Sequence, residues 1–408
     1  MCTFRHNKLI KLFICLAIAF AAGIIAYPIQ GPDGFFPQLK IICSIAIGIS
    51  AFIAAAFFYE GRLSPLWVKI ALERSGITNK VGETPTYLRV KRDKDNDVGF
   101  VIVLDARGTP RSVFEDRKSC LEASLNIYID RIEQRSPRTI EIYAVPAKYG
   151  LPDFIAWDDS FFSSEEMVIT LGKSVGKLVR INMQRIPHML IGGSTGSGKS
   201  FLFRSIVYQA LKHNCSVHLA DFKGGLDLPR SWKTQCDFNT DKLSFLHMLR
   251  EDVGELIARK CELERAECAN IYEYNKRYGM TYRHIIIACD EIGEILDTTG
   301  VDKEEKAIIN EISGLLATIA RQGRAFGMHL VLATQRPSAD ILRGEIKNNI
   351  DCRICGRADN VLSQIILDST VAADTIPKNA QGRFVMHDGK VFQGFWHDES
   401  DFEEGFCD

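Results

Sequence analysis

The run Gly193-Ser194-Thr195-Gly196-Ser197-Gly198-Lys199-Ser200 fits the spacing G-x-x-x-x-G-K-[ST] without a gap, and few short patterns restrict a fold as tightly. Before it comes Met189-Leu190-Ile191-Gly192, an apolar run that reads as a buried strand. After it, residues 201–211 carry apolar side chains at helical spacing. Strand, glycine loop and helix in that order form the setting a phosphate-binding loop requires. The glycines let the backbone curl so that several N–H groups face one anion, and the helix N-terminus adds partial positive charge. Lys199 is then expected to reach the β- and γ-phosphates of ATP, and Ser200 to ligate Mg²⁺. Gly193 through Phe201 is the candidate nucleotide-binding stretch. A chance glycine-rich turn would not bring both flanks with it.

A second acidic site extends nucleotide binding towards hydrolysis. His284-Ile285-Ile286-Ile287-Ala288-Cys289 leads to Asp290-Glu291, an apolar run that ends in two carboxylates. Alone, this pattern marks only a strand end. Paired with the phosphate loop upstream, it predicts that Asp290 holds Mg²⁺ through water and that Glu291 polarises the attacking water.

The formal net charge of −1 gives no general polyanion signal, so any nucleic-acid contact must come from a local surface. The twelve cysteines are scattered and form no disulfide framework, which fits a reducing compartment. Cys352 and Cys355 have C-x-x-C spacing, but no second Cys or His pair lies nearby and the run reads as a β-strand.

Residues 12–29 and 41–59 are two uncharged apolar runs, each near the roughly 20 residues a membrane-crossing helix needs. They predict a two-span hairpin over residues 1–62. Arg5, Lys8 and Lys11 precede the first run, and Arg62, Lys69 and Arg74 follow the second. The positive-inside rule therefore expects both termini, and everything after the second span, in the cytoplasm. Residues 63–85 read as a juxtamembrane helix and linker with Trp67 near the interface. Residues 86–165 read as a small α+β domain, with strands at 87–90, 99–104 and 139–145 and a helix at 113–132. Residues 171–181 read as a hairpin leading into the next unit.

Residues 166–400 alternate strand and helix. Strands are expected at 217–221, 284–290, 328–334 and 352–355, a long charged helical stretch at 241–278, and helices at 304–325 and 341–348. Such alternation predicts an α/β fold with a parallel sheet covered on both faces. A closing hairpin at 382–396 turns at Asp388-Gly389, and 401–408 reads as a tail.

Over residues 171–386 the chain resembles the FtsK/SpoIIIE family of DNA-pumping ATPases. The resemblance rests on Pro187-His188-Met189-Leu190-Ile191-Gly192-Gly193, on Asp221-Phe222-Lys223-Gly224-Gly225, on Ile271-Tyr272-Glu273-Tyr274-Asn275, and most heavily on Ala320 to Ser338, which contains Ala333-Thr334-Gln335-Arg336-Pro337. Ile346 to Ile350, Arg353-Ile354 and Ser363 to Asp368 continue it. It implies a RecA-like P-loop motor working as a homo-hexameric ring around double-stranded DNA. Gln335 then becomes a candidate γ-phosphate sensor. Among Arg321, Arg324, Arg336, Arg353 and Arg357, the last two are the leading candidates for a finger reaching a neighbouring subunit's ATP. The layout of two spans, one motor and no expected sequence-reading module resembles the coupling proteins of Gram-positive conjugative elements. Such proteins would bring a relaxase-bound DNA strand to membrane channel proteins. Alternatives are a chromosome-segregation pump, a type VII secretion-like ATPase moving protein, and a docking platform that binds ATP without hydrolysing it; Glu291 argues against the last.

Overall fold

The computed structural model describes residues 64–222, 228–335 and 344–402. The apolar runs 12–29 and 41–59 lie outside the described residues, as do most of the Asp221–Gly225 motif and Arg336. Among the described residues no helix is long and apolar enough to cross a membrane.

The chain divides into two compact units, with the boundary between Ala147 and Lys148. The first carries four antiparallel strands: β1 (Thr86–Arg92), β2 (Phe100–Asp105), β3 (Ile127–Ser136) and β4 (Thr139–Pro146), in the spatial order β1-β2-β4-β3. Its core joins Ile102, Leu104, Ile140 and Ile142 from one sheet face to Val68, Ala71, Leu72 and Ile77. The stretch expected as a linker therefore supplies core residues. Its helix runs only from Pro65 to Arg74. Ser64 caps that helix, accepting a hydrogen bond from Trp67 N–H, and proline sits in the first turn, where no donor is lost.

The helix expected over 113–132 is a misreading. Two short helices, Arg111–Asp116 and Lys118–Leu125, end where Asn126 turns left-handed (φ 52°), and β3 begins at Ile127. Ile127, Ile129 and Ile132 face the core, an in–out pattern that helical periodicity had masked. The unit also ends near residue 147 rather than 165. Beyond that point Ala156 bridges Trp396, and Trp157 N–H donates to Trp396 O at 2.8 Å, which places this segment in the larger unit.

The larger unit is built on a ten-stranded sheet. In chain order its strands are β5 (Val168–Ser174), β6 (Lys177–Asn182), β7 (Met189–Gly192), β8 (Ser216–Ala220), β9 (Asp237–Asn239), β10 (Ile285–Cys289), β11 (Met328–Thr334), β12 (Cys352–Cys355), β13 (Arg383–Met386) and β14 (Val391–Gly394). The spatial order is β6-β5-β14-β13-β12-β7-β11-β10-β8-β9. From β12 to β9 every pairing is parallel; from β12 to β6 every pairing is antiparallel. The apolar strands β7 and β10 and the largely apolar β11, which carries His329 and Thr334, are buried along their whole length, as a parallel sheet covered on both faces demands. Separate apolar clusters cover its two faces.

The stretch 241–278 is two helices rather than one. The first, Lys242–Arg265, is capped by Asp241; the second, Ile271–Tyr278, is capped by Asn270. Residues 401–408 are not wholly a tail, because Phe402 is buried in the same core cluster as Trp232 and Tyr208. No disulfide links the described cysteines, and of these Cys120 and Cys261 are exposed. Burial pushes the thiols of Cys215, Cys236, Cys352 and Cys355 up to about 12.

The starts of β7, β10 and β11 carry buried histidines. His329 Nδ1 faces Pro187 O at 3.0 Å, and a carbonyl can only accept, so that nitrogen holds the proton. His329 Nε2 then accepts from His284 Nδ1 at 2.9 Å. His188 Nδ1 accepts from Leu330 N–H at 3.0 Å. Burial brings His188 and His284 each down to about 4.

Candidate nucleotide site

Parallel strands bring their carboxyl ends to one edge, and ligands of open α/β sheets bind outside that edge. Here β11 lies between the loop strand β7 and the acidic strand β10, with Thr334 opposite Gly192 and Leu332 opposite Cys289. The loop after β7, the carboxylates after β10 and the end of β11 therefore converge.

The loop takes the form its glycines allow. Gly196 and Gly198 have φ of 71° and 96°, a region side chains rarely enter. A methyl group on Gly198 would also stand 2.8 Å from the backbone of Gly382. The helix Lys199–Lys212 starts directly from Gly198. Two distant segments of the same chain clamp the loop from outside. Ser194 N–H donates to Arg357 O at 2.8 Å, and Gly382 N–H donates to Ser197 O at 2.8 Å. The Ser197 hydroxyl is buried and makes no hydrogen bond within the described residues. A buried polar group with no partner inside a ring of glycines is what an anion-binding cradle leaves open.

Three charges meet under the loop. The side chains of Lys199, Asp290 and Glu291 are 3 %, 8 % and 8 % exposed, so each needs a partner. Lys199 Nζ donates to Asp290 Oδ1 at 2.8 Å and to Asp290 O at 2.6 Å, with Glu291 Oε2 at 3.8 Å. Ser200 Oγ donates to Asp290 Oδ2 at 3.2 Å. A hydroxyl and a carboxylate held side by side are hard oxygen donors suited to Mg²⁺. Glu291 is held from the other side by β11: Thr334 Oγ1 donates to its Oε1 at 2.9 Å, and Gln335 N–H reaches both carboxylate oxygens at 3.1 Å. The Gln335 side-chain oxygen accepts from Thr195 Oγ1 at 3.0 Å. One residue at the end of β11 thus touches both the acidic pair and the phosphate loop.

The two candidate arginines are placed differently. Arg357 lies against the loop of its own chain: Nη2 donates to Thr195 O at 2.7 Å, Nη1 to Lys378 O at 2.8 Å, and Nε approaches Ser194 Oγ at 3.4 Å. Arg353, on β12, is paired with Asp368 and lies 3.3 Å from His387 Nε2. Either would have to give up these bonds to reach another subunit. Phe201 lines the cavity, and the Arg204 guanidinium sits 4.5 Å over its ring. The cavity itself, about 830 Å³, extends well past the loop to Asp153–Ile155, Pro377, Asn379–Arg383 and Gln393–Trp396. Sequence reasoning missed that far wall entirely.

A P-loop at the carboxyl edge of a parallel sheet, with paired carboxylates two strands away and a polar strand end between, defines a P-loop ATPase motor. The chain matches no protein-family model. It belongs to the family of the pCW3 conjugation coupling protein TcpA, whose monomer form solved with ATPγS is 32 % identical, with alignment over 84 % of this chain and 97 % of that one and a TM-score of 0.62. Among curated proteins, DNA translocase FtsK of Leptospira interrogans is 28 % identical over 247 residues, 56 % of this chain. DNA translocase FtsK of Treponema pallidum is 31 % identical over 217 residues, 49 % of this chain. The chain spans about a quarter of the length of these curated relatives, 25 % and 26 %.

Proposed function

We propose that this protein is a membrane-anchored, ATP-driven DNA translocase that acts as the coupling protein of a conjugative transfer apparatus. One observation carries the reading: a buried cluster of Lys199, Asp290 and Glu291 beside the phosphate loop stands in a chain that aligns with 97 % of a solved conjugation coupling protein. In this reading the N–H groups of Thr195, Gly196 and Gly198 and the Lys199 ammonium bind the β- and γ-phosphates, while Ser194 N–H and Ser197 N–H stay bonded to Arg357 O and Ser194 O and hold the loop's shape. Mg²⁺ held by Ser200 and Asp290 would neutralise charge on those phosphates. Glu291 orients the attacking water and takes its proton, and Thr334 with Gln335 N–H fixes the carboxylate for that task. Gln335, bonded to Thr195, relays the state of the phosphate end to β11.

The partners proposed are DNA, further copies of the chain in a hexameric ring, a relaxase, and channel proteins in the membrane. Residues 12–29 and 41–59 serve as the spans, with both termini cytoplasmic. Two measurements on the full chain in detergent test this reading. Duplex DNA should raise ATPase activity, and the effect should fade steeply between about 50 and 200 mM salt because phosphate contacts dominate. Lys199→Ala should abolish both turnover and DNA transfer from a donor cell. Stimulation by a secreted protein but not by DNA would replace this reading with a protein-secretion motor.

A further inference from the structure

The cavity that contains the phosphate loop ends, away from it, in two aromatic side chains. Phe154 and Trp396 are 63 % and 41 % exposed, an unusual state for large rings in a recess. Their centroids lie 5.8 Å apart at 42°, which leaves no slot for a third ring between them. Together they form a shelf.

The shelf is anchored by backbone and charge rather than by burial. Trp396 N–H donates to Ile155 O, and Trp157 N–H donates to Trp396 O, both at 2.8 Å. Arg383 Nη2 donates to Pro152 O at 2.9 Å and to Asp153 Oδ1 at 3.0 Å, while its Nε donates to Gln393 Oε1 at 2.9 Å. Residues 152–157 are thereby fixed to the closing hairpin.

The spacing to the loop follows from the same hairpin. Gly382 N–H donates to Ser197 O in the loop, and Gly382 O accepts from Gly394 N–H. Trp396 is two residues beyond Gly394, about 7 Å further at strand rise. That is the scale of the sugar separating a nucleotide's phosphates from its base. Gly382 allows the approach: its φ is 68°, and a methyl group there would meet Gln393 Nε2 at 2.7 Å.

We propose that Phe154 and Trp396 bind the base of the nucleotide by stacking, and that the site accepts purines as a class, ATP and GTP alike, over pyrimidines. This rests on the reading of Gly193–Ser200 as the phosphate site. Stacking on an aromatic face favours the larger bicyclic base. Asn379 and Gln381 line the same cavity with exposed amides. Each amide offers both donor and acceptor and can turn over, so it matches the edge of adenine or of guanine.

The test uses the full chain and three probes: ATPγS, competing nucleoside triphosphates, and inorganic tripolyphosphate, which carries no base. GTP should compete within a few-fold of ATP, and CTP and UTP about tenfold more weakly. Trp396→Ala and Phe154→Ala should each weaken ATPγS binding about tenfold while tripolyphosphate binding stays at wild-type strength. Trp396→Phe, which keeps a ring and all backbone bonds, should restore most of the loss and guards against an alanine variant that fails to fold. Unchanged ATPγS affinity in the double alanine variant, or CTP binding as well as ATP, would overturn the proposal and leave the phosphate site standing. Failure of tripolyphosphate to compete in the wild type would overturn the phosphate site and the shelf with it.

Discussion

Replacing Arg357 with alanine separates two roles an arginine beside a phosphate loop can play. In the first, it acts on its own chain. Its guanidinium donates to Thr195 O and Lys378 O and approaches Ser194 Oγ, holding the loop in its binding shape. In the second, it acts on a neighbour's ATP. Hydrogen bonds from a charged donor contribute about 1.5–3 kcal/mol each when buried. These lie at a partly exposed side chain, so screening leaves about 1–2 kcal/mol in total for ordering the loop. The bonds that Ser194 N–H and Ser194 Oγ donate to the backbone carbonyl Arg357 O survive the substitution. The expected outcome is a Kd for ATPγS raised about 5- to 30-fold. It should be measured by calorimetry on protein dilute enough to sediment as a monomer, with no DNA present. A finger acting in trans contributes nothing under those conditions. Wild-type affinity in the monomer, with turnover lost only on assembly, would refute the cis role and return Arg357 to the trans candidates.

Glu291→Gln should lower turnover by about 10²-fold or more while ATPγS still binds, because the amide fills the same space but cannot take a proton from water; normal turnover would move the base elsewhere. Stability should fall in mild acid. His188 and His284 stay neutral in the fold down to about pH 4, whereas unfolding frees each to protonate near 6.5. Their contribution is therefore complete above pH 6.5 and is lost as pH drops towards 4, by about 1.3 kcal/mol per histidine between pH 7.5 and 5.5. Urea midpoints at the two pH values measure it. His188→Asn, which keeps an acceptor for Leu330 N–H, should remove one histidine's share of the difference.

What could be read beforehand was whatever local rules dictate. The phosphate loop has a required backbone shape, so its glycines announce it, and the apolar strands β7, β10 and β11 declare their burial by having no polar face. The antiparallel β3 is hidden because Ile127, Ile129 and Ile132 also fit the period of the helix before it; the break lies in Asn126, a residue tolerant of positive φ. The far wall of the cavity was beyond reach for another reason. Phe154 and Trp396 lie over two hundred residues apart in sequence, and only the pairing of Ala156 with Trp396 makes them neighbours. The cis grip of Arg357 was equally invisible, since it depends on β12 lying beside β7.

The distribution of thiols has a practical consequence. Maleimide dyes react with thiolates, and the thiols of Cys215, Cys352 and Cys355, which are buried, and of half-buried Cys236, all pushed up to about 12, hold almost none at neutral pH. Exposed Cys120 and Cys261 lie in different compact units. With Cys2, Cys15, Cys43 and Cys407 replaced by serine, a donor and an acceptor fluorophore on these two native positions would report, molecule by molecule, whether the small unit moves against the motor during each turnover.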